Sequence, residues 1–208
     1  MLLRSTLLLA AVSLAACSTS QPRTDNLGVA EFEEITVKRI NVVGEDGSFR
    51  LVLSNEDRFP APIMHGDTID ARTIEVAGML VYKLNGDEAG GIGTTGGDGA
   101  PTQVFSILDY SNSDGLITGI QDAGESGYAG IVGIRERQPL GVSPLEAEGG
   151  SAGPMRVMLA NQDGTAMLVL NDGEERPRLR LTVTEDGAAR VEVLDEEGNT
   201  VDSLPREE

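Results

Sequence analysis

Apolar and polar residues alternate in short runs along most of the chain. Examples are Ile40-Asn41-Val42, Leu179-Arg180-Leu181-Thr182-Val183 and Val191-Glu192-Val193. A period of two places successive side chains on opposite faces of a strand. The runs are punctuated by Asp46-Gly47, Asn85-Gly86, Asp114-Gly115, Asp163-Gly164, Asp172-Gly173 and Asp186-Gly187, with Glu197-Gly198 as a weaker seventh. Such pairs tolerate the positive φ that tight hairpins require. Twenty-six Gly and nine Pro, scattered throughout, leave no room for a long helical pattern. The pattern predicts an all-β fold: an antiparallel hairpin meander closed or stacked as a barrel or sandwich. A lone flat sheet would expose a face and both edges.

Three of the turns sit in matching contexts. Residues 40–53, 157–170 and 180–193 each carry an apolar strand, a turn and a second apolar strand. After the turn Leu51/Leu53, Leu168/Leu170 and Val191/Val193 fall in register, each pair on one face. The repeating unit is a hairpin with its return turn. Met79–Ile92, Leu108–Ile120 and Tyr128–Ile134 keep the apolar strands but lose the spacing. Arg58–Ala71 and Arg137–Pro154, rich in Pro and Gly, read as loops. A change of parity between Ile35/Val37 and Ile40/Val42 predicts a β-bulge near Lys38-Arg39.

The first residues follow a different rule. Arg4 precedes an apolar run from Leu7 to Ala16, about 15 Å long as a helix, whereas a spanning helix needs about 20 residues. The run ends Leu14-Ala15-Ala16-Cys17. This resembles the lipobox of bacterial lipoprotein precursors. The resemblance implies a signal peptide over residues 1–16 and lipid on Cys17. It also implies anchorage in a membrane, with Ser18 after the Cys pointing to the outer membrane. Residues 17–30, rich in Ser, Thr, Gln, Pro and Asn, then form a flexible tether, and residues 31–204 a single β domain.

Composition narrows the function classes. The net charge of −18 repels nucleic acid and anionic headgroups, so no nucleic-acid partner is expected. Trp is absent and aromatic content is 3%, which argues against a stacking platform. Cys17 is the only Cys and His65 the only His, so neither a disulfide framework nor a transition-metal site is expected.

A second resemblance rests on Lys38-Arg39-Ile40-Asn41-Val42-Val43, Leu53-Ser54-Asn55, Arg58-Phe59-Pro60, Ala77-Gly78-Met79-Leu80, Gly86-Asp87-Glu88-Ala89-Gly90-Gly91 and the closing Asp-Gly repeats. Together they resemble a group of bacterial β-repeat proteins over residues 33–201, departing most around Gly93–Gln103. The resemblance implies the repeat layout and no activity.

The remaining motifs are weak. Gly91-Ile92-Gly93-Thr94-Thr95-Gly96 has dinucleotide-like spacing, but Gly97-Asp98-Gly99-Ala100-Pro101 cannot open the helix that such a site needs. Asp109, Ser111, Ser113 and Asp114 put oxygens at alternate positions before Gly115, faintly like a calcium loop, although Ile120 stands where a bidentate Glu belongs. Arg176, Arg178 and Arg180 lie at spacing two and could take an anion, or pair across strands with acids such as Glu192. His65, with Asp67 beside it, could serve as a general base, but no nucleophile elbow accompanies it. Pairs of acids such as Glu146/Glu148 read as solvated faces. The sequence therefore leads to a non-enzymatic, membrane-anchored envelope lipoprotein with a binding or structural role, no cofactor and a possible envelope protein partner. A calcium- or small-ligand-binding β domain is the alternative, and a hydrolase using His65 a third reading.

Overall fold

The computed structural model describes residues 23–24, 28–68, 75–97, 99–141 and 152–205. Cys17 and the segment before it lie outside the described residues. The chain divides into two units, residues 1–37 and 38–208. In the first, Arg23–Thr24 pairs with Ala30–Glu31 as a two-residue antiparallel ladder.

The second unit is one antiparallel sheet of twelve strands. They are β1 (Arg39–Val43), β2 (Phe49–Ser54), β3 (Ala77–Tyr82), β4 (Glu88–Gly97), β5 (Ala100–Asp109), β6 (Asp114–Asp122), β7 (Tyr128–Arg135), β8 (Met155–Gln162), β9 (Thr165–Asn171), β10 (Pro177–Val183), β11 (Ala189–Leu194) and β12 (Thr200–Leu204). Spatial order follows chain order from β1 to β12. The meander and the all-β class are as the alternation predicts. The sheet stays open: β1 and β12 are its two edges and do not pair with each other. No α-helix occurs among the described residues.

The turns refine the Asp-Gly reading. Residues 44–48, 83–87, 172–176, 184–188 and 195–199 share one geometry. The first N–H donates to the fifth C=O, and the fourth N–H to the first C=O. The fourth residue is left-handed, with φ +79 at Gly47, +92 at Gly86, +61 at Glu175, +85 at Gly187 and +85 at Gly198. This is a three-residue hairpin loop with a bulge at its left-handed residue. Of these pairs, Asp163-Gly164 forms a two-residue loop with both residues at positive φ, +47 and +83, as His65-Gly66 also does at +53 and +83. Asp114-Gly115 is no turn. It opens β6, and the turn is Tyr110–Ser113, closed by the Tyr110 N–H donating to the Ser113 C=O at 2.8 Å. In Asp172-Gly173 the left-handed residue is Glu175, because the Asp172 carboxylate accepts the N–H groups of Glu174 and Arg176 and fixes the loop around itself.

The bulge expected near Lys38-Arg39 lies elsewhere. β1 starts at Arg39, Ile35 and Val37 precede it exposed, and the register shifts between Val42 and Val43, beside the turn. That shift carries Phe49 to the face opposite Leu51.

The small core lies on this second face. Val52, Leu80 and Tyr82 are buried there, packed by Phe49, Phe59 and Ile63, the last two from the β2–β3 connection. The Phe49 and Tyr82 rings sit 5.6 Å apart, and the Arg39 guanidinium lies 5.3 Å from the Phe49 ring centre. Val76, 2% exposed, adds to this cover. Gly93 permits the close approach: a Cβ there would stand 2.7 Å from Val76 Cγ1 and 2.9 Å from Phe105 Cζ. The Gly91–Gly96 spacing thus lies inside β4 and serves packing rather than a phosphate.

Gly187 and Gly173 separate backbone strain from steric crowding, because nothing stands within 4 Å of a Cβ at either position and only Gly187 has positive φ. Gly187→Ala is expected to cost about 1–2 kcal/mol. Gly173→Ala is expected to be neutral or stabilising by about 0.4–1 kcal/mol. Urea denaturation of both variants checks the contrast, and equal losses would contradict the turn geometry.

Candidate functional site

Register determines what each face presents. On the first face Ile92 of β4 stands opposite Ser106, and the row continues through Thr118, Val132, Leu159, Leu168 and Leu181. In the other direction it reaches Met79, Leu53 and Ile40. A second row holds Val104, Ile120, Gly130, Asn161, Ala166 and Val183. A third, on the other side of the first, holds Leu108, Leu116, Ile134, Val157, Leu170 and Leu179. The register-matched pairs Leu51/Leu53, Leu168/Leu170 and Val191/Val193 all fall on this face.

These rows carry no Asp, Glu, Lys or Arg between β1 and β11, although such residues make up 24% of the chain. The first charged member is Asp202 on the edge strand β12, opposite Val193. The aliphatic side chains are open to solvent: Ile92 is 50% exposed, Ile120 61% and Leu159 49%. Contiguous exposed apolar surface on this scale is rare on monomeric soluble proteins, which makes this face the candidate site.

The face is hollowed. A cavity of about 810 Å³ is lined by residues from β4 through β10. It follows the first two rows, which run across the strands. Small side chains at Ser106, Thr118, Gly130 and Ala166 form its low points, and larger aliphatics stand around them. The volume lies within the ~300–1,000 Å³ of small-molecule pockets.

The opposite face of the C-terminal strands is polar and internally paired. Arg180 Nη1 lies 3.5 Å from Glu192 Oε2 across β10 and β11. Arg176 pairs with Asp172 at 2.9 Å, Glu174 at 3.1 Å and Glu196 at 3.8 Å, and Arg178 reaches Asp172 at 4.0 Å. The three arginines suggested for an anion are therefore each matched by a carboxylate of the same chain. Burial raises the Asp172 carboxyl, but hydrogen bonds from the Glu174 N–H and from Arg176 outweigh it and hold the group below the ordinary carboxylate value.

Asp109, Ser111, Ser113 and Asp114 flank the β5–β6 turn. Ser113 is 1% exposed, and its hydroxyl accepts the Gln138 N–H at 3.1 Å, whereas Ser111 faces solvent. The intervening Asn112, also buried, donates to the carbonyls of Gln138 and Pro139. Asp114 forms a backbone bridge to Ala152. The Ser113 hydroxyl, the Asn112 amide and the Asp114 backbone fasten the turn to the long β7–β8 connection. Among the described residues no group of three His, Cys, Asp or Glu side chains is placed to hold a metal ion. His65 sits exposed at a two-residue ladder of Ile63–Met64 with Asp67–Thr68, at φ +53, and does not line the cavity.

Comparison with protein-family models, curated proteins and solved structures finds no match.

The apolar face escaped sequence reasoning because the alternation was expected to close over itself. Its signal was legible in strands with apolar residues at both parities, such as Ile131-Val132 and Met158-Leu159. One face of such strands meets the sheet's own cover, and the other needs a second layer.

Asp114 yields a pH test. Burial pushes its carboxyl above the ordinary value, and the Arg135 charge offsets part of this. The folded state therefore holds the proton more tightly than the unfolded chain, and Asp114 costs stability as pH rises from the ordinary carboxylate value through the raised one. Asp114→Asn should remove this component, leaving a variant at least as stable as the parent at pH 7. Thermal melts from pH 3 to 7 read the difference, and a variant that loses stability specifically at pH 7 would contradict the assignment.

Proposed function

We propose that this protein is an exported lipoprotein, anchored in the outer membrane through lipid on Cys17, whose sheet has a non-enzymatic binding role in the cell envelope. The observation that carries the binding role is the charge-free, solvent-open apolar face with its 810 Å³ hollow. Address and anchor are supported by Arg4, the short apolar run and Leu14-Ala15-Ala16-Cys17. A lipid anchor of two or more chains holds a protein stably at a bilayer, since each buried methylene contributes about 0.8 kcal/mol. The binding part needs no further contact with the membrane to stay there.

The face suits an apolar partner. Every inner strand is paired on both sides apart from its bulges, so the sheet has little left to offer a peptide or a sugar except at its edges. Ser106, Thr118 and Asn161 are the polar side chains of the first two rows within the hollow. A calcium site among Asp109, Ser111, Ser113 and Asp114 is not favoured, because Ser113 is engaged with Gln138.

Two measurements on the full chain test this reading. Labelled fatty acid should enter the parent protein and not Cys17→Ser, with the parent in the outer-membrane fraction. An apolar fluorophore should bind the folded protein saturably, and binding should fall at least tenfold in Leu159→Glu. Absence of label in the parent would overturn the anchor. Absence of saturable binding would overturn the role of the face.

A further inference from the structure

We infer that the hollow of the apolar face seats the acyl chains of a diacyl membrane lipid with an amine-bearing headgroup, lying across the strands; this rests on the binding role proposed above. Four observations lead to the occupant.

The first is shape. The hollow runs along two cross-strand rows from β4 to β10. Six inter-strand spacings of about 4.8 Å make it about 29 Å long. A bilayer's hydrocarbon core is about 30 Å thick, so one leaflet's chains are about 15 Å long. The hollow has the length of two such chains laid end to end, as the two chains of one diacyl lipid splayed apart would lie.

The second is relief. A second copy of this chain would bring the same low points, and two such surfaces facing each other leave gaps rather than an interdigitated core. A flexible hydrocarbon chain fills an irregular trough without shape matching. The low points at Ser106, Thr118, Gly130 and Ala166 receive methylenes where a rigid partner would leave gaps.

The third is charge. Each copy carries −18, so like-charged surfaces oppose face-to-face pairing, whereas an acyl chain carries no charge into the trough.

The fourth concerns the ends. Asp122 closes β6, Asp163 sits in the β8–β9 turn, and Glu185 with Asp186 lies in the β10–β11 turn, all at the strand ends beyond the second row. A free fatty acid or an anionic headgroup placed there meets like charge, whereas an amine meets opposite charge. The carboxylates alone make no site; they select among the lipids whose chains the trough admits.

The test uses the full chain with vesicles of either phosphatidylethanolamine or phosphatidylglycerol, each doped with the same lipid bearing a photoreactive group in mid-chain. After illumination the cross-linked peptides are mapped by mass spectrometry. Cross-links should concentrate on peptides of β5 to β9, at first-face residues such as Ile120, Val132 and Leu159, with at least fivefold more from phosphatidylethanolamine. Ile120→Glu should lower the yield about tenfold, while Gln121→Glu, on the opposite face of the same strand, should leave it unchanged. Mapping on the parent protein keeps the test independent of how the variants fold. Cross-links spread over both faces, or confined to the N-terminal segment, would overturn the inference. So would a concentration-dependent dimer in sedimentation that blocks cross-linking, which would assign the face to a second copy. If the fluorophore binds saturably and the acyl chain does not cross-link to the first face, the occupant is wrong and the binding role stands. If neither binds, both fail.

Discussion

A single layer of strands satisfies its backbone within the layer and cannot cover its own two faces. Every strand here pairs with its neighbours in sequence, so from β2 to β11 the backbone is bonded on both sides apart from the bulges, while each face still needs a second layer. The β2–β3 connection supplies one over the N-terminal strands through Phe59 and Ile63, where Val52 and Leu80 are buried. Arginine–carboxylate pairs replace it over the C-terminal strands, where Arg180 and Glu192 face each other. The other face receives neither, and its aliphatic rows remain open. Small buried cores are common only where another device holds the fold, and the unbroken ladder is that device here.

The turns decide which residues reach which face. A two-residue loop, as at Asp163-Gly164, preserves the parity of both strands. A three-residue loop adds a residue and shifts the register at its base, as between Val42 and Val43 or between Val193 and Leu194. Phe49 owes its place in the core to one such shift, since its spacing of two from Leu51 would otherwise put it on the open face. Local turn chemistry thereby sets the composition of a surface several residues away.

Much of this was legible in the sequence. The class, the meander and the common face of Leu51/Leu53, Leu168/Leu170 and Val191/Val193 follow from period two and spaced Asp-Gly pairs. The exceptions have local causes. Asp114-Gly115 opens a strand because Asn112 and Ser113 are held by Gln138 and Pro139, contacts about twenty-five residues distant in the chain that no window can see. Asp172 draws the N–H groups of its own loop onto its carboxylate and moves the left-handed residue to Glu175. The apolar face was hidden in a different way: each of its residues looks like core, and only the register across strands, with their exposure, shows that none of the described residues covers them.

Pairing confined to sequence neighbours also bears on how such a chain can change over generations. An in-frame duplication of one hairpin with its return turn adds two strands, about 10 Å of sheet, and leaves every existing pair intact. The hollow across the strands lengthens by the same step, so its reach is counted in hairpins. A single-residue insertion within a strand does the reverse, keeping the length and exchanging the two faces beyond it. Repeats 157–170 and 180–193 are spaced by one such unit, and Asp202 on β12 places the first carboxylate in the aliphatic row.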